Sequence, residues 1–392
     1  MNANGMNGAD IRRLNRLAVL KVIAQSKGIS RMKITEQTGL TKMTISNIVS
    51  EFQSLGLLES AEDMARPMSA GRRPDILRFS AQSPVSIGLW VSRDYCSGIA
   101  ADLHLSTLAA HSIPLRDETA ESLLQKLMDL AKRLLDGIGS RTVAGIGIAT
   151  IGPVDLAVGQ LLKPPNFYGI ENLSLREPLQ QTFRLPVFIQ NDMNAAALAE
   201  MHYGSGRDAQ DFVYIGLSNG IGAGIVLGGD LFEGSHGFAG EIGHTSVDPD
   251  GPRCRCGRRG CLELYTGIPA LLEQAREKLK RAFFDFASLA VFSEQSPEGA
   301  AFLQQQLEPL TTKLTDLCNF MDPQLLLIGH DGALLPAFIL RNLEAAINQS
   351  VLAAGSSAVR VRASTFSSIA PLLGAASIVW DQVFRGLLPI TE

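Results

Sequence analysis

The chain has 392 residues, enough for two or three domains, and 46% of them are hydrophobic, so a sizeable core can be buried. No apolar run is long enough to span a membrane and the polar N-terminus lacks a signal-peptide pattern, which argues against membrane insertion and for a cytoplasmic protein. The net charge of −4 is unevenly spread: residues 1–80 hold 12 Lys+Arg against 7 Asp+Glu and the remainder 23 against 32, so only the small N-terminal part suits a polyanionic partner.

Ile11 to Ser26 carries apolar residues close to helical period, and Gly28 ends it. A short helix from about Arg31 to Thr38, a turn at Gly39-Leu40 and a helix from about Lys42 to Leu55 follow, with Thr41 as the N-cap. Helix, glycine turn, helix is the helix-turn-helix pattern. In its last helix Ile45, Ile48, Val49 and Phe52 share one face, while Lys42, Thr44, Ser46 and Asn47 lie near the N-terminal end that reaches base edges in this motif. Leu57-Leu58 starts a strand and Asp75–Phe79 reads as its return partner. Between them S-A-G-R-R-P, residues 69–74, would tip a wing with Arg72 and Arg73, suited to a narrow minor groove. The candidate contacts to double-stranded DNA are therefore Thr41, Lys42, Thr44, Ser46, Asn47, Arg72 and Arg73. A small helical interaction domain with a solvated basic loop is the alternative.

From Val85 short apolar runs alternate with helical patterns. Strands are expected at Val85–Val91, Ser97–Ala101, Val143–Ala149, Val187–Ile189, Phe212–Leu217, Gly224–Leu227 and Leu325–Ile328. Helices are expected at Glu121–Leu135, Met193–Met201, Ile268–Phe283, Glu298–Phe320 and Leu335–Val351. This is an α/β body. Cys96 and Cys318 fall in apolar or helical contexts and read as buried, inert thiols. His236 is a loop histidine without an evident partner and reads as structural.

The densest chemistry runs from Gly240 to Gly267, where G-E-I-G-H is followed by C-R-C-G-R-R-G-C-L-E-L-Y-T-G. His244, Cys254, Cys256 and Cys261 make a Cys₃His set that suits tetrahedral Zn²⁺, and Gly257 and Gly260 allow the tight turn that returns the last thiolate. Four protein ligands leave no open position, so the expected role is structural, one ion per chain. Three unrelated loop cysteines are the bland reading, and a C-x-x-C redox pair is not present.

These motifs together resemble the ROK family (repressors, open reading frames and sugar kinases), over nearly the whole chain. The resemblance implies an N-terminal winged helix-turn-helix followed by a two-lobed actin-like/ribonuclease H-like body. The implied division is residues 1–80 for the DNA-binding domain, 81–190 for the first lobe, completed by a C-terminal helix 375–392, and 191–374 for the second lobe with the zinc motif and sugar site. It further implies a sugar site at Asn191 and Asp192, with Glu241, Glu263 and His244 as further contacts and Asn166 and the Gly152-Pro153 turn nearby. In the kinases the position of Asp192 is the base; here it would be a vestige. A carboxylate at the end of a strand is in any case well placed to accept a hydrogen bond from a sugar hydroxyl.

The phosphate half departs from the family's kinase pattern. Where D-x-G-G-T is expected, residues 87–94 read I-G-L-W-V-S-R-D: Trp90 stands at the Asp position, and Ser92, Arg93 and Asp94 replace G-G-T. The glycine loop 218–225 persists, either for phosphate or simply as a turn, and His330-Asp331 interrupt the last glycine-rich loop. Phosphoryl transfer depends on positioning and electrostatics, so a lost cradle should remove most of the rate. The chain is thus expected to be no enzyme but a sugar-responsive DNA-binding repressor. Its expected partners are an operator, a sugar or sugar phosphate, and further copies of itself in a homodimer or homotetramer. The rivals are a sugar kinase with an accessory DNA module and a repressor controlled by a protein partner.

Overall fold

The computed structural model describes residues 8–26, 28–62, 75–352, 354–355 and 358–390. Arg72 and Arg73 lie outside the described residues.

The N-terminal module holds α1 (Gly8–Ala24), β1 (Ile29–Ser30), α2 (Arg31–Thr38), α3 (Lys42–Ser54), β2 (Leu58–Glu62) and β3 (Asp75–Phe79). Its boundaries are set by local chemistry. Ser30 and Thr41 cap α2 and α3 by accepting from Lys33 N and Thr44 N, and Gly39 takes the left-handed conformation between them. Ile45, Ile48, Val49 and Phe52 are buried along α3, on the face its periodicity marks. The hairpin β2–β3 gains a third strand that the sequence did not announce, because β1 pairs with the other edge of β3.

Two five-stranded sheets form the body. The first has the order β11-β7-β4-β5-β6: Val187–Asn191, Val143–Thr150, Val85–Val91, Tyr95–Ala101 and Thr107–Pro114. The second has the order β14-β13-β12-β15-β16: Asp230–Leu231, Ile221–Leu227, Phe212–Leu217, Leu325–His330 and Arg360–Ala363. A small sheet of β8 (Val154–Asp155), β9 (Gln160–Leu161) and β10 (Leu173–Ser174) carries the loop between β7 and α5 (Arg176–Phe183). β4 is buried at every residue, as expected of a central strand covered on both faces. One cover is α4 (Ala120–Gly137), whose Leu123, Leu127, Leu130 and Leu134 are buried.

The other cover is α13 (Ala370–Phe384), which packs with α6 (Asp192–Tyr203) between the two sheets. The close approach needs glycine: a Cβ on Gly147 would lie 1.9 Å from Ala375 O. Along β12 alternate residues serve two cores. Phe212 and Tyr214 face α6 and α13, while Val213, Ile215 and Leu217 join the outer helices. These outer helices are α8 (Ile268–Lys278), α9 (Phe286–Gln295), α10 (Pro297–Gln306), α11 (Glu308–Met321) and α12 (Ala337–Ser350); α7 (Glu263–Thr266) follows the cysteine loop.

Several elements differ from the sequence reading; β13 and β5 start earlier than expected, and α5, β14 and β16 were not expected. The single helix expected over 298–320 is two, because Pro309 has no N–H to donate and sits in the first turn of α11. The helix expected over 268–283 stops at Lys278, with Lys280 at φ 51° just beyond, and α9 follows as a separate helix. The last helix is Ala370–Phe384, not 375–392; Gly386 at φ 72° turns the chain just beyond it. β6 was not foreseen at all.

The N-terminal module is seated on the body. Its apolar core runs on into Trp380, Val383 and Phe384 of α13 and Leu103 and Leu105 of the first lobe. Three polar contacts cross the same seam: His104 Nδ1 to Ala24 O at 3.1 Å, Arg207 Nη1 to Gln25 O at 2.9 Å and Arg13 Nη1 to Gly386 O at 3.3 Å.

Candidate functional site

A cleft of about 840 Å³ opens between the two lobes. Asn166, Asn191, Asp192, Glu241, His244 and Glu263 all line it. The junction of β11 and α6 explains the first pair. Asn191 ends the strand and caps the helix, its Oδ1 accepting from Met193 N at 2.9 Å and Asn194 N at 3.4 Å. Asp192 is the first helical residue, only 8% exposed, and accepts from Met193 N at 2.9 Å. The cap is thus Asn191, which leaves the Asp192 carboxylate for other partners. Burial pushes the Asp192 carboxyl up to about 7; Glu241 adds to this, and His330 and Arg93 oppose it. Burial raises Glu241 too, with His244 working against it and Glu263 with it.

Gln190 is a residue that the motif reading passed over. Its Oε1 accepts from Asn191 N at 2.9 Å and from Asn194 Nδ2 at 3.1 Å, and its Nε2 donates to Glu233 Oε1 at 2.5 Å. It holds Asn191 in place and ties it to the loop before Glu241. No local pattern marks it, because Glu233 is 43 residues away.

The ligand atoms of His244, Cys254, Cys256 and Cys261 all lie within 4.8 Å of one another. Cys256 Sγ and Cys261 Sγ are 3.6 Å apart, and Cys254 Sγ and His244 Nδ1 3.7 Å. Tetrahedral bonds of roughly 2.0–2.3 Å to zinc require separations of about that size, so the set fits a metal ion. Glu263 Oε1 stands beside it, 3.1 Å from Cys254 Sγ and 3.4 Å from His244 Nδ1. An ion held by these four residues would fix the segment carrying Glu263, and with it one wall of the cleft.

The far end of the cleft is lined by Trp90, Ser92, Arg93, Asp94 and His330. Trp90 is 2% exposed, edge-on to Tyr95 at 5.2 Å and to His330 at 5.9 Å between ring centres. Arg93 Nη1 donates to Pro165 O and, at 3.1 Å, to Asn166 O. Asn219 Nδ2 reaches Asp94 Oδ2 across the cleft at 3.5 Å. Two glycines of the 218–225 stretch have a third explanation beyond phosphate or turn: a Cβ on Gly222 would lie 2.8 Å from Met193 Cγ and one on Gly224 2.3 Å from Met193 O, so they let α6 rest on the sheet.

Thr41, Lys42, Ser46 and Asn47 are exposed at the start of α3, and Thr44 is half-buried with its hydroxyl 2.9 Å from that of Thr41. Exposed Met43 lies among them, a neighbour the motif reading left out. Cys96 and Cys318 are buried, and burial pushes their thiols up to about 12 and about 11. His236 is exposed.

The model of the ROK family matches residues 86–382. The xylose repressor of Bacillus subtilis is 29% identical, over 95% of this chain and 96% of its own. The DNA-binding transcriptional dual regulator NagC of Escherichia coli is 27% identical, over 96% and 95%. Among solved structures, a ROK family transcriptional regulator described as a homologue of the Escherichia coli MLC protein superposes with a TM-score of 0.78 at 26% identity, over 96% of this chain and 98% of that one.

Proposed function

The chain belongs to the ROK family, and from that premise we propose that it is a sugar-responsive transcriptional repressor whose ligand occupies the interlobe cleft. The observation that carries this is the asymmetry of the cleft. One half presents Asn191, Asp192, Glu241, His244 and Glu263, acceptors and donors suited to sugar hydroxyls. The other end carries buried Trp90 where a metal-binding carboxylate would be needed and Arg93 where a transferable phosphate would need open backbone. Relatives that match over the whole length are regulators, which agrees.

In this reading residues 1–80 bind operator DNA through Thr41, Lys42, Thr44, Ser46, Asn47, Arg72 and Arg73. The lobes 81–190 and 191–374, closed by the last helix, carry the ligand site. A Zn²⁺ ion on His244, Cys254, Cys256 and Cys261 supplies a fixed, four-coordinate clamp and no catalysis. The effector is a sugar or sugar phosphate; xylose and N-acetylglucosamine, named for two relatives' repressors, are the first to try. Among the described residues no helix is long and apolar enough to cross a membrane; a repressor of this kind would work on DNA in the cytoplasm.

Two copies would present paired modules to half-sites about one helical turn of DNA apart. Ligand can release them only by binding one lobe arrangement more tightly than the other. The test is operator affinity with and without D-xylose, N-acetyl-D-glucosamine and their phosphates. A sugar that weakens binding supports the reading; no effect from a broad sugar panel sinks it and turns attention to a protein effector.

A further inference from the structure

We propose that Arg93 is a positioning residue of the ligand site, a strut that fixes the sugar-facing loop 163–169 against the first lobe. The inference rests on the assignment of the cleft to a sugar but makes a separate claim about what holds one wall of it. Arg93 sits in the turn between β4 and β5, and Ser92 makes that turn rigid. Its hydroxyl donates to Tyr95 O at 2.8 Å and accepts from Tyr95 N at 3.2 Å. From this base the guanidinium reaches 72 and 73 residues along the chain, to Pro165 O and Asn166 O. The contact is returned: Tyr168 Oη donates to Arg93 O at 3.1 Å.

The loop needs such a strut. Pro164 and Pro165 have no N–H to offer, and Asn166 and Tyr168 hold φ of 56° and 53°, a region that non-glycine residues seldom adopt. Among the described residues no backbone N–H donates to Pro165 O or Asn166 O. Phe167, 1% exposed, and buried Pro164 anchor the loop in the core, but apolar burial gives the carbonyls of Pro165 and Asn166 no hydrogen-bond donor. Arg93 supplies two polar points of attachment, and a planar, always charged donor suits paired carbonyls. The turn that would cradle phosphate in a nucleotide-using relative thus has a different task here: it presets the wall that carries Asn166, with no nucleotide needed to order it.

Two arms test this on the full-length protein. In the first, hydrogen exchange of the ligand-free protein is compared for wild type, Arg93→Ala and Arg93→Lys. The amides of residues 163 and 166–170 should exchange at least roughly tenfold faster in Arg93→Ala, the smaller factor expected when a charged donor that makes two hydrogen bonds is lost. Those of α13 should be unchanged, and Lys, which can still donate to the carbonyls, should restore part of the protection. Equal protection of the loop in wild type and Arg93→Ala overturns the proposal. In the second arm D-xylose and N-acetyl-D-glucosamine are titrated calorimetrically. The sugar that binds wild type should bind Arg93→Ala about tenfold more weakly and Arg93→Lys in between; undiminished affinity in Arg93→Ala also overturns it. If neither sugar binds wild type, it is the sugar assignment that suffers, and the exchange arm still decides the strut.

Discussion

Replacing Asp192 by Asn should stabilise the fold at alkaline pH while removing the ligand response. The carboxyl of Asp192 rises from 3.8 to about 7 on folding, chiefly through burial, with Glu241 adding to the rise and His330 and Arg93 opposing it. The folded state therefore holds the proton more tightly than the unfolded chain. Stability from this group is fully present below about pH 4, is lost as pH rises, and reaches its minimum once the folded group ionises above about pH 7. A shift of about three units corresponds to about 4 kcal/mol at pH 8. Asn is nearly the same size, keeps an oxygen to accept from Met193 N, and carries no charge to desolvate. The stability difference between Asp192→Asn and wild type should thus grow by about 2–3 kcal/mol between pH 5 and pH 8. Urea titrations of both proteins across that range measure it directly. A difference independent of pH, or a variant less stable at pH 8, would refute the account of a carboxylate kept ionisable at the expense of stability. Calorimetric titration of the inducing sugar into the same variant should show at least a tenfold loss, because an amide cannot replace a charged acceptor. Such a conflict between stability and binding is what a functional residue shows.

Other consequences can be measured with equal directness. The purified protein should carry about one zinc per chain by elemental analysis, and Cys261→Ser should lose most of it, since three ligands hold the ion far less well than four; full retention would remove Cys261 from the set. Lys42→Ala should weaken binding to all DNA sequences and lower the salt slope by about one. Asn47→Ala should cost about 1–3 kcal/mol on the operator and little on random DNA, as read by fluorescence anisotropy at several salt concentrations. Gly224→Ala places a methyl 2.3 Å from Met193 O, a backbone atom that cannot swing away. It should destabilise by about 2–3 kcal/mol and impair ligand binding, because the start of α6 must move.

What could be read from the sequence was what short-range chemistry determines. Thr41 and Gly39 delimit α3 because a cap needs only its own neighbours. The Cys₃His set was legible because its members lie within 18 positions of one another and belong to residue types with little other reason to cluster. β6 escaped because it is an edge strand with no buried residue and hence no alternating signature. The split between α10 and α11 was written in Pro309, but an apolar pattern continuing through it outweighed the proline. Arg93 was read as an obstruction to phosphate, since that is all its own neighbourhood shows; its bonds to Pro165 and Asn166 are made by the fold. Gln190 and Glu233 were hidden for the same reason.

The route from cleft to DNA module follows from which elements touch backbone to backbone. The cleft begins at Asn191 and Asp192, where α6 starts; twelve residues later, about 18 Å away, the helix ends at Tyr203. That distance exceeds the screening length of about 8 Å at physiological salt, so a charge placed in the cleft would act weakly at the far end. Contact is the stronger carrier. At its start α6 lies on Gly224, and at the end of its first turn a Cβ on Gly374 of α13 would come within 2.2 Å of the Ala195 backbone. Near its end His202 Nε2 meets Asp381 Oδ1 of α13 at 2.9 Å, both side chains buried. Interlocked helices with no room between them move together. A tilt of the second lobe that displaces the start of α6 must therefore displace α13. The DNA module rests on the last turn of that helix, through Val383 and Phe384, and on the flanking residues Leu103 and Arg207. If ligand closes the lobes as proposed, the movement would reach the N-terminal module through this rigid pair of helices.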